Sequence, residues 1–240
     1  MVIQGSRNAM PVVAVVGACG GIGRATAALL RDSGWALALI DNRAADLAAL
    51  SKELGRGSLI EACSIANATE VEGAFDRIAR RYPAIEAVVN AAGLFSYRPI
   101  VTLTHAEWDQ TIDVNLTGTF NVCKAALPLL RNSAGGRIVN VISIAATHSF
   151  SNQAAYCASK AGALALTRVL ALELRDAAIG VTAILPGGVD TPLWDHVVVP
   201  FDRKRMLQPD DVAQTIRFVL QQPASVTIDE ITVSSAAGPQ

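Results

Sequence analysis

Short apolar runs alternate with longer amphipathic stretches along the chain. Val12 to Val16 is a valine-rich run of strand character, and Gly17 to Gly23 is a glycine-rich turn. Arg24 to Ser33 carries helical spacing and is stopped by Gly34. A second strand is predicted over Ala36 to Ile40, closed by Asp41. Helical spacing returns over Ala44 to Leu54, with Gly55 and Gly57 beyond it. Leu59 to Cys63 is a third strand candidate, and Thr69 to Tyr82 a helix with Pro83 just past its end. Ala87 to Asn90 is a fourth strand, followed by Ala91, Ala92 and Gly93. The second half repeats the alternation. It predicts a long helical region over His105 to Arg131, a strand over Arg137 to Ile142 and a helix over Ala154 to Ala177. A strand over Val181 to Leu185, a helix over Pro209 to Gln221 and a last strand over Ile228 to Val233 complete it.

Strands that alternate with helices imply a parallel sheet covered on both faces. Right-handed crossovers leave the doubly wound, Rossmann-like α/β sheet as the natural topology. No internal repeat, low-complexity tract or linker interrupts the pattern, so residues 10–240 are expected to form a single domain. Residues 1–9 are polar and precede the first strand, which reads as a loose leader. Arg7, the apolar stretch Met10 to Ala18 and Cys19 imitate a signal peptide with a lipidation cysteine. Cleavage there would remove a strand and part of the glycine turn that the rest of the pattern needs.

Composition narrows the class. The 240 residues are 51% apolar and 17% charged, which suits a sheet buried on both faces and opposes disorder. A net charge of −1 without charge blocks gives no footing for nucleic acid or an acidic membrane surface. No apolar run reaches the roughly 18 residues a spanning helix needs. Cys19, Cys63, Cys123 and Cys157 are scattered singly and only three histidines exist, so no metal site is expected. Such cysteines fit reduced thiols in a cytoplasmic protein.

Gly17, Gly21 and Gly23 stand between a strand and a helix in the spacing GxxxGxG, with Ile22 inside the turn. A phosphate there would meet backbone N–H groups and the positive end of the helix dipole. The spacing differs from GxGxxG, and alone it is equally a tight strand–helix turn. Asp41 lies at the end of the second strand, 18 residues after Gly23. A carboxylate there accepts from adenosine ribose hydroxyls and repels a 2′-phosphate, which favours NAD and disfavours NADP. Arg43, two residues on, opposes that reading.

Tyr156 and Lys160 are four residues apart on one helix and therefore share a face. An ammonium near the phenol would lower its pKa from about 10, so that the pair moves a proton near neutral pH. Ser143, 13 residues before Tyr156 at a strand end, has a hydroxyl able to bond a reacting oxygen. As an isolated pair, YxxxK is a common surface contact.

Taken together, these segments resemble the short-chain dehydrogenase/reductase family, in its short single-domain branch. The matching segments are GACGGIG at Gly17 to Gly23, NAAG at Asn90 to Gly93 and Asn115 within VNLTG. Ser143, the Tyr156–Lys160 pair and PGGVDTP at Pro186 to Pro192 follow in the family's order. The likeness runs from about Val12 to Val233. It implies that Tyr156 is the general acid/base and that Lys160 holds the nicotinamide ribose and lowers the phenol's pKa. Ser143 would orient the substrate oxygen, and Asn115 would hold a water that links Lys160 to solvent. Asn90, Ala91 and Gly93 would border the adenosine side of the cofactor. Pro186, Gly187, Val189 and Thr191 would cover the nicotinamide. The substrate would be a small alcohol or ketone, and the family commonly pairs the helices at 105–131 and 154–177 into homodimers or homotetramers.

Three positions depart from the family pattern. Val16 stands where threonine is frequent. Ser64, or the Ile65 backbone, stands where an aspartate often contacts adenine. The C-terminus lacks the frequent DGG. The substrate-covering segment falls at Leu193 to Leu207, with Trp194, His196, Phe201 and the basic cluster Arg203 to Arg205. Phe95, His148, Phe150 and Gln153 lie on segments expected to border the pocket, which suits a medium-sized or ring-containing substrate. The basic cluster is either a solvated loop or an anchor for a carboxylate or phosphate. Two rival functions stand beside the ketone reductase: an NADP-linked reductase of 3-oxoacyl thioesters, and a non-catalytic NAD-binding sensor or scaffold on the same fold.

Overall fold

The computed structural model describes residues 10–55, 57–195 and 202–237. The expected leader at 1–9, His196 and Phe201 lie outside the described residues. Seven parallel strands form one sheet in the order β3-β2-β1-β4-β5-β6-β7. They are β1 (Val12–Val16), β2 (Ala36–Asp41), β3 (Leu59–Ala62), β4 (Ala87–Asn90), β5 (Arg137–Val141), β6 (Gly180–Pro186) and β7 (Glu230–Val233). The helices are α1 (Gly21–Asp32), α2 (Ala44–Glu53), α3 (Ala68–Arg81), α4 (His105–Ile112), α5 (Gly118–Arg131), α6 (Ala154–Glu173) and α7 (Pro209–Leu220).

Strand alternation sorts the helices into two layers. Along β1, Val12, Ala14 and Val16 join one core cluster with α3 and α5, through Val71, Phe75, Ile78, Val122 and Leu130. Val13 and Val15 join the opposite cluster with α1, α2 and α7, through Leu30, Leu47, Leu50, Val212 and Ile216. Successive side chains of a strand point to opposite faces, so a strand buried on both sides must be apolar throughout, as VVAVV is. The strand order reverses between β1 and β4, which opens a crevice beyond their carboxyl ends.

Several boundaries differ from the sequence expectation for physical reasons. α1 begins at Gly21 rather than Arg24, because the last glycines of the turn already form the helix's first turn. The region 105–131 is not one regular helix: Asp113–Thr117 is a π-helical turn between α4 and α5. α6 ends at Glu173, and Arg175–Ala177 is a separate 3₁₀ turn. β7 starts at Glu230, two residues late, since only that stretch pairs with β6. Arg137 on β5 is buried and donates to the carbonyls of Gln222, Pro223 and Val226, which fixes the chain leaving α7.

Candidate active site

The glycine turn is built on the end of β1. The N–H groups of Gly17 and Ala18 both donate to Ile40 O on β2, at 2.8 and 3.1 Å. Gly17 has φ +74°, and a side chain there would strike Ala91 and Ala92 after β4, so only glycine fits. Gly21 lies against the Thr191 methyl, and Gly23 against the Gly17 carbonyl. Gly20 caps α1 without a side chain, and the first turn holds no acidic residue. The helix therefore offers N–H groups and a positive dipole end with no acidic residue in its own first turn, and a dinucleotide's phosphates fit that donor set.

Asp41 is buried behind this turn, 7% exposed. Its Oδ2 accepts the Cys19 N–H at 2.9 Å, and its Oδ1 accepts the backbone N–H and Nε of Arg43, both at 3.1 Å. The carboxylate thus shapes the turn and is already paired with the half-exposed guanidinium that opposed it in sequence. Burial, reinforced by Asp41, pushes the Cys19 thiol up to about 11, which keeps it neutral. Ser64 and Ile65 follow β3. Ile65 belongs to the core, its carbonyl accepts from Asn121 Nδ2 at 2.9 Å, and the Ser64 N–H donates to Glu70 at 2.8 Å. That leaves the Ser64 hydroxyl as the polar side-chain group of the pair.

The Asn90 side chain is turned away from the crevice. Its amide lies inside the helix layer, with Nδ2 at 3.4 Å from Asn140 Oδ1, so only its backbone borders the turn. The residues after it do reach the site. Ala91 N–H donates to Val16 O at 2.9 Å. A Cβ on Gly93 would sit 3.3 Å from Asn115 Oδ1 and 3.4 Å from Lys160 Nζ, so this glycine lets both polar groups close on the loop.

Asn115 sits in the π turn and is 1% exposed. The extra residue of such a turn rotates a side chain out of helical register, and π turns are frequent at functional sites. Its Oδ1 accepts Leu94 N–H at 2.7 Å, and its Nδ2 donates to Leu94 O at 2.9 Å and to Ser159 Oγ at 3.0 Å. Ser159 in turn donates to Tyr156 O at 2.8 Å. Asn115 thereby joins the loop after β4 to the helix that carries Tyr156. Sequence reasoning passed over Ser159; its one signal was a hydroxyl three residues beyond Tyr156 on the same helical face.

Ser143 lies just past β5 and is buried. Its Oγ accepts the Ala145 N–H at 3.1 Å, which leaves its own proton to offer towards the neighbouring Tyr156 phenol. Burial pushes that phenol up to about 12, and the neighbouring Ser143 hydroxyl pulls against the shift. Lys160 is 6% exposed and its Nζ donates to Val141 O at 3.2 Å. Burial pushes its ammonium down to about 8. The nitrogen stands 5.8 Å from the centroid of the Tyr156 ring. The expected lowering of the phenol's pKa by Lys160 is not present in this geometry: Ser143 opposes the rise, and desolvation outweighs it.

The last wall comes from the chain after β6. Pro186 is buried at the strand end, and Gly187 N–H donates to Val233 O at 2.8 Å. Val189 pairs with Leu207, and Thr191 is buried against Gly21. The basic cluster is largely occupied. Arg203 bonds Asp190, Asp195 and the Thr191 carbonyl, and Arg205 bonds the Ala237 carbonyl. His148 is exposed, 3.0 Å from Thr147 Oγ1.

Several comparisons with known proteins agree with this arrangement. A family model described as short chain dehydrogenase matches residues 11–199. An uncharacterized oxidoreductase of Staphylococcus aureus is 33% identical over 92% of this chain and 96% of its own length. An alcohol dehydrogenase of the archaeon Thermococcus sibiricus, solved with 5-hydroxy-NADP, superposes with a TM-score of 0.86 at 28% identity. That match covers 97% of this chain and 99% of that one. Actinorhodin polyketide ketoreductase with NADPH gives a TM-score of 0.87 at 29% identity, over 95% and 97% of the two chains. With its parallel sheet, its glycine turn at the β1–α1 junction and Tyr156 beside Ser143 and buried Lys160, this chain belongs to the short-chain dehydrogenase family of oxidoreductases.

Proposed function

We propose that the protein interconverts a secondary alcohol and a ketone, with Tyr156 as acid/base and NAD(H) preferred over NADP(H). The observation that carries this reading is the Tyr156 ring at the crevice with Lys160 Nζ 5.8 Å from its centroid and buried Ser143 beside it. In reduction, the Tyr156 O–H donates its proton to the carbonyl oxygen as the carbonyl carbon gains hydride, and an alcohol results. In oxidation, the Tyr156 phenoxide takes the hydroxyl proton as the same carbon loses hydride. The nicotinamide supplies or accepts that hydride when bound. Ser143 donates to the substrate oxygen in both directions and holds it near the phenol. Lys160 supplies positive charge beneath the phenol and a donor for a ribose hydroxyl. Asn115 ties the Leu94 loop to α6, and a water at the π turn would return protons to Lys160.

The residues that would hold the cofactor are those of the crevice. Gly17, Gly21, Ile22 and Gly23 supply the phosphate end, and Ala91, Gly93, Ser64 and Ile65 border the adenosine. Pro186, Gly187, Val189 and Thr191 border the nicotinamide. The NAD preference rests on Asp41. A second reading has its own observation: Arg43 is paired to Asp41 and half exposed, which softens repulsion of a 2′-phosphate and supports an NADP-linked reductase of 3-oxoacyl thioesters. Comparing kcat/KM with NADH and NADPH over simple ketones and an acetoacetyl thioester tests both. Higher efficiency with NADPH and the thioester would overturn the first reading, and no turnover of any carbonyl would favour a non-catalytic binding protein.

No helix among the described residues is long and apolar enough to cross a membrane. Free thiols at all four cysteines support a cytoplasmic setting. Phe120 on α5 and Val169 and Leu172 on α6 are large, apolar and substantially exposed. They support pairing of these helices in a homodimer or homotetramer.

A further inference from the structure

In a chain that is only 5% aromatic, four rings gather at one wall of the crevice. Phe95 is their centre. Its ring centroid lies 5.0 Å from Tyr156 edge-on, 4.8 Å from Trp194 and 6.3 Å from Tyr97. None of the four belongs to, or packs against, the core clusters of the sheet, and all four are half-buried. These rings are not there to fill the interior.

The wall is held rigidly from behind. Leu94, just before Phe95, has both backbone groups bonded by Asn115. Tyr97 accepts a hydrogen bond from Asn152 Nδ2 at 3.1 Å, and Arg98 N–H donates to Asn152 O at 2.6 Å. Asn152 holds the left-handed φ of +65° that this double bond demands. Trp194 Nε1 donates to Val189 O at 2.8 Å. Rigid aromatic surface next to a reacting oxygen recognises flat apolar groups, because little ordering is needed when they bind. Cations on the flanking segments are engaged: Arg98 with Glu107, Arg203 with Asp190 and Asp195, and Arg205 with a carbonyl. Lys204 alone is exposed there without such a bond among the described residues.

We propose that Phe95, Tyr97 and Trp194 form the specificity wall of this enzyme and that it selects an uncharged ring-bearing ketone or alcohol. The inference rests on Tyr156 being the acid/base of the same site. The test compares acetophenone with 2-octanone, which has the same number of carbons, in wild type, Phe95→Leu and Trp194→Leu. Leucine keeps apolar bulk and removes the aromatic face. Wild type is expected to favour acetophenone in kcat/KM. In each variant the acetophenone/2-octanone ratio of kcat/KM should fall by about fivefold to tenfold, the order of an aromatic contact, with cofactor titration unchanged. A ring ketone bearing a carboxylate should be no better than acetophenone; a marked preference for it would overturn the uncharged class. Saturation-transfer NMR in the presence of NAD reads binding without turnover. Acetophenone binding that Phe95→Leu abolishes, with no turnover of either ketone, would keep the wall and refute the acid/base reading. Turnover that is equal for both ketones, or lost equally in the variants, would refute the wall and leave the acid/base reading standing. Neither binding nor turnover would refute both.

Discussion

Replacing Lys160 by Met should make the protein without cofactor more stable while destroying its activity. The Lys160 ammonium is buried at 6% exposure with one hydrogen-bond partner, Val141 O. Its pKa falls from 10.5 to about 8 through desolvation. At about 1.4 kcal/mol per pH unit, that drop represents about 3.5 kcal/mol of strain at neutral pH. Methionine has similar length and no charge, and it forfeits a charge-assisted hydrogen bond worth about 1.5 kcal/mol. The net expectation is a gain of about 2 kcal/mol. The sign with pH follows from the direction of the shift. A folded-state pKa below the unfolded value means that both states are protonated below pH 8, where the full penalty is felt. Between pH 8 and 10.5 the unfolded chain binds the extra proton, so wild-type stability rises with pH and the gap to Lys160→Met closes. Urea unfolding of both proteins at pH 7, 9 and 10.5 measures this. A variant less stable than wild type at pH 7, or a gap that ignores pH, would refute the claim that Lys160 is held charged against its own burial.

Three further outcomes are expected. Asp41→Ser should shift preference toward NADP(H), because a repulsive carboxylate is removed and Arg43 released from it; an unchanged NADH/NADPH ratio of kcat/KM would refute the role given to Asp41. Ketone reduction needs the neutral phenol, which burial favours up to about 12, and the Lys160 ammonium, which is lost above about 8. Its rate should therefore be level below pH 8 and fall above it, while alcohol oxidation climbs from pH 6 to 8; a reduction rate already falling between pH 6 and 7 would contradict these directions. Light scattering at micromolar concentration should show a multiple of 25.1 kDa, and a purely monomeric species would count against pairing through α5 and α6.

Much of the architecture was written in period and punctuation. Apolar runs closed by glycine or aspartate marked β1 and β2, and the four-residue interval from Tyr156 to Lys160 put both on one face of α6. What escaped sequence reading depends on partners far away in the chain. The π turn at Asn115 is a change of backbone bonding within an unbroken helical pattern, so no periodicity announces it. Asn90 borders the turn by its backbone alone, because its amide finds Asn140 fifty residues on and turns inward. The Arg203–Arg205 cluster looked like a possible anion anchor, yet two of its members are consumed by Asp190, Asp195 and the Ala237 carbonyl. Lys160 was expected to set the pKa of Tyr156. Its attachment to Val141 O and the desolvation of both groups were invisible, because a backbone carbonyl leaves no signature in residue type.

The most direct test of the central claim is steady-state turnover of Tyr156→Phe, measured beside a cofactor titration with any substrate the wild type accepts. The substitution removes the phenolic hydroxyl beside Ser143 and keeps the ring against Phe95. Turnover should fall by about 10²- to 10⁴-fold, the usual contribution of a positioned acid/base, while NAD affinity stays near the wild-type value. Near-wild-type turnover would mean that another group moves the proton.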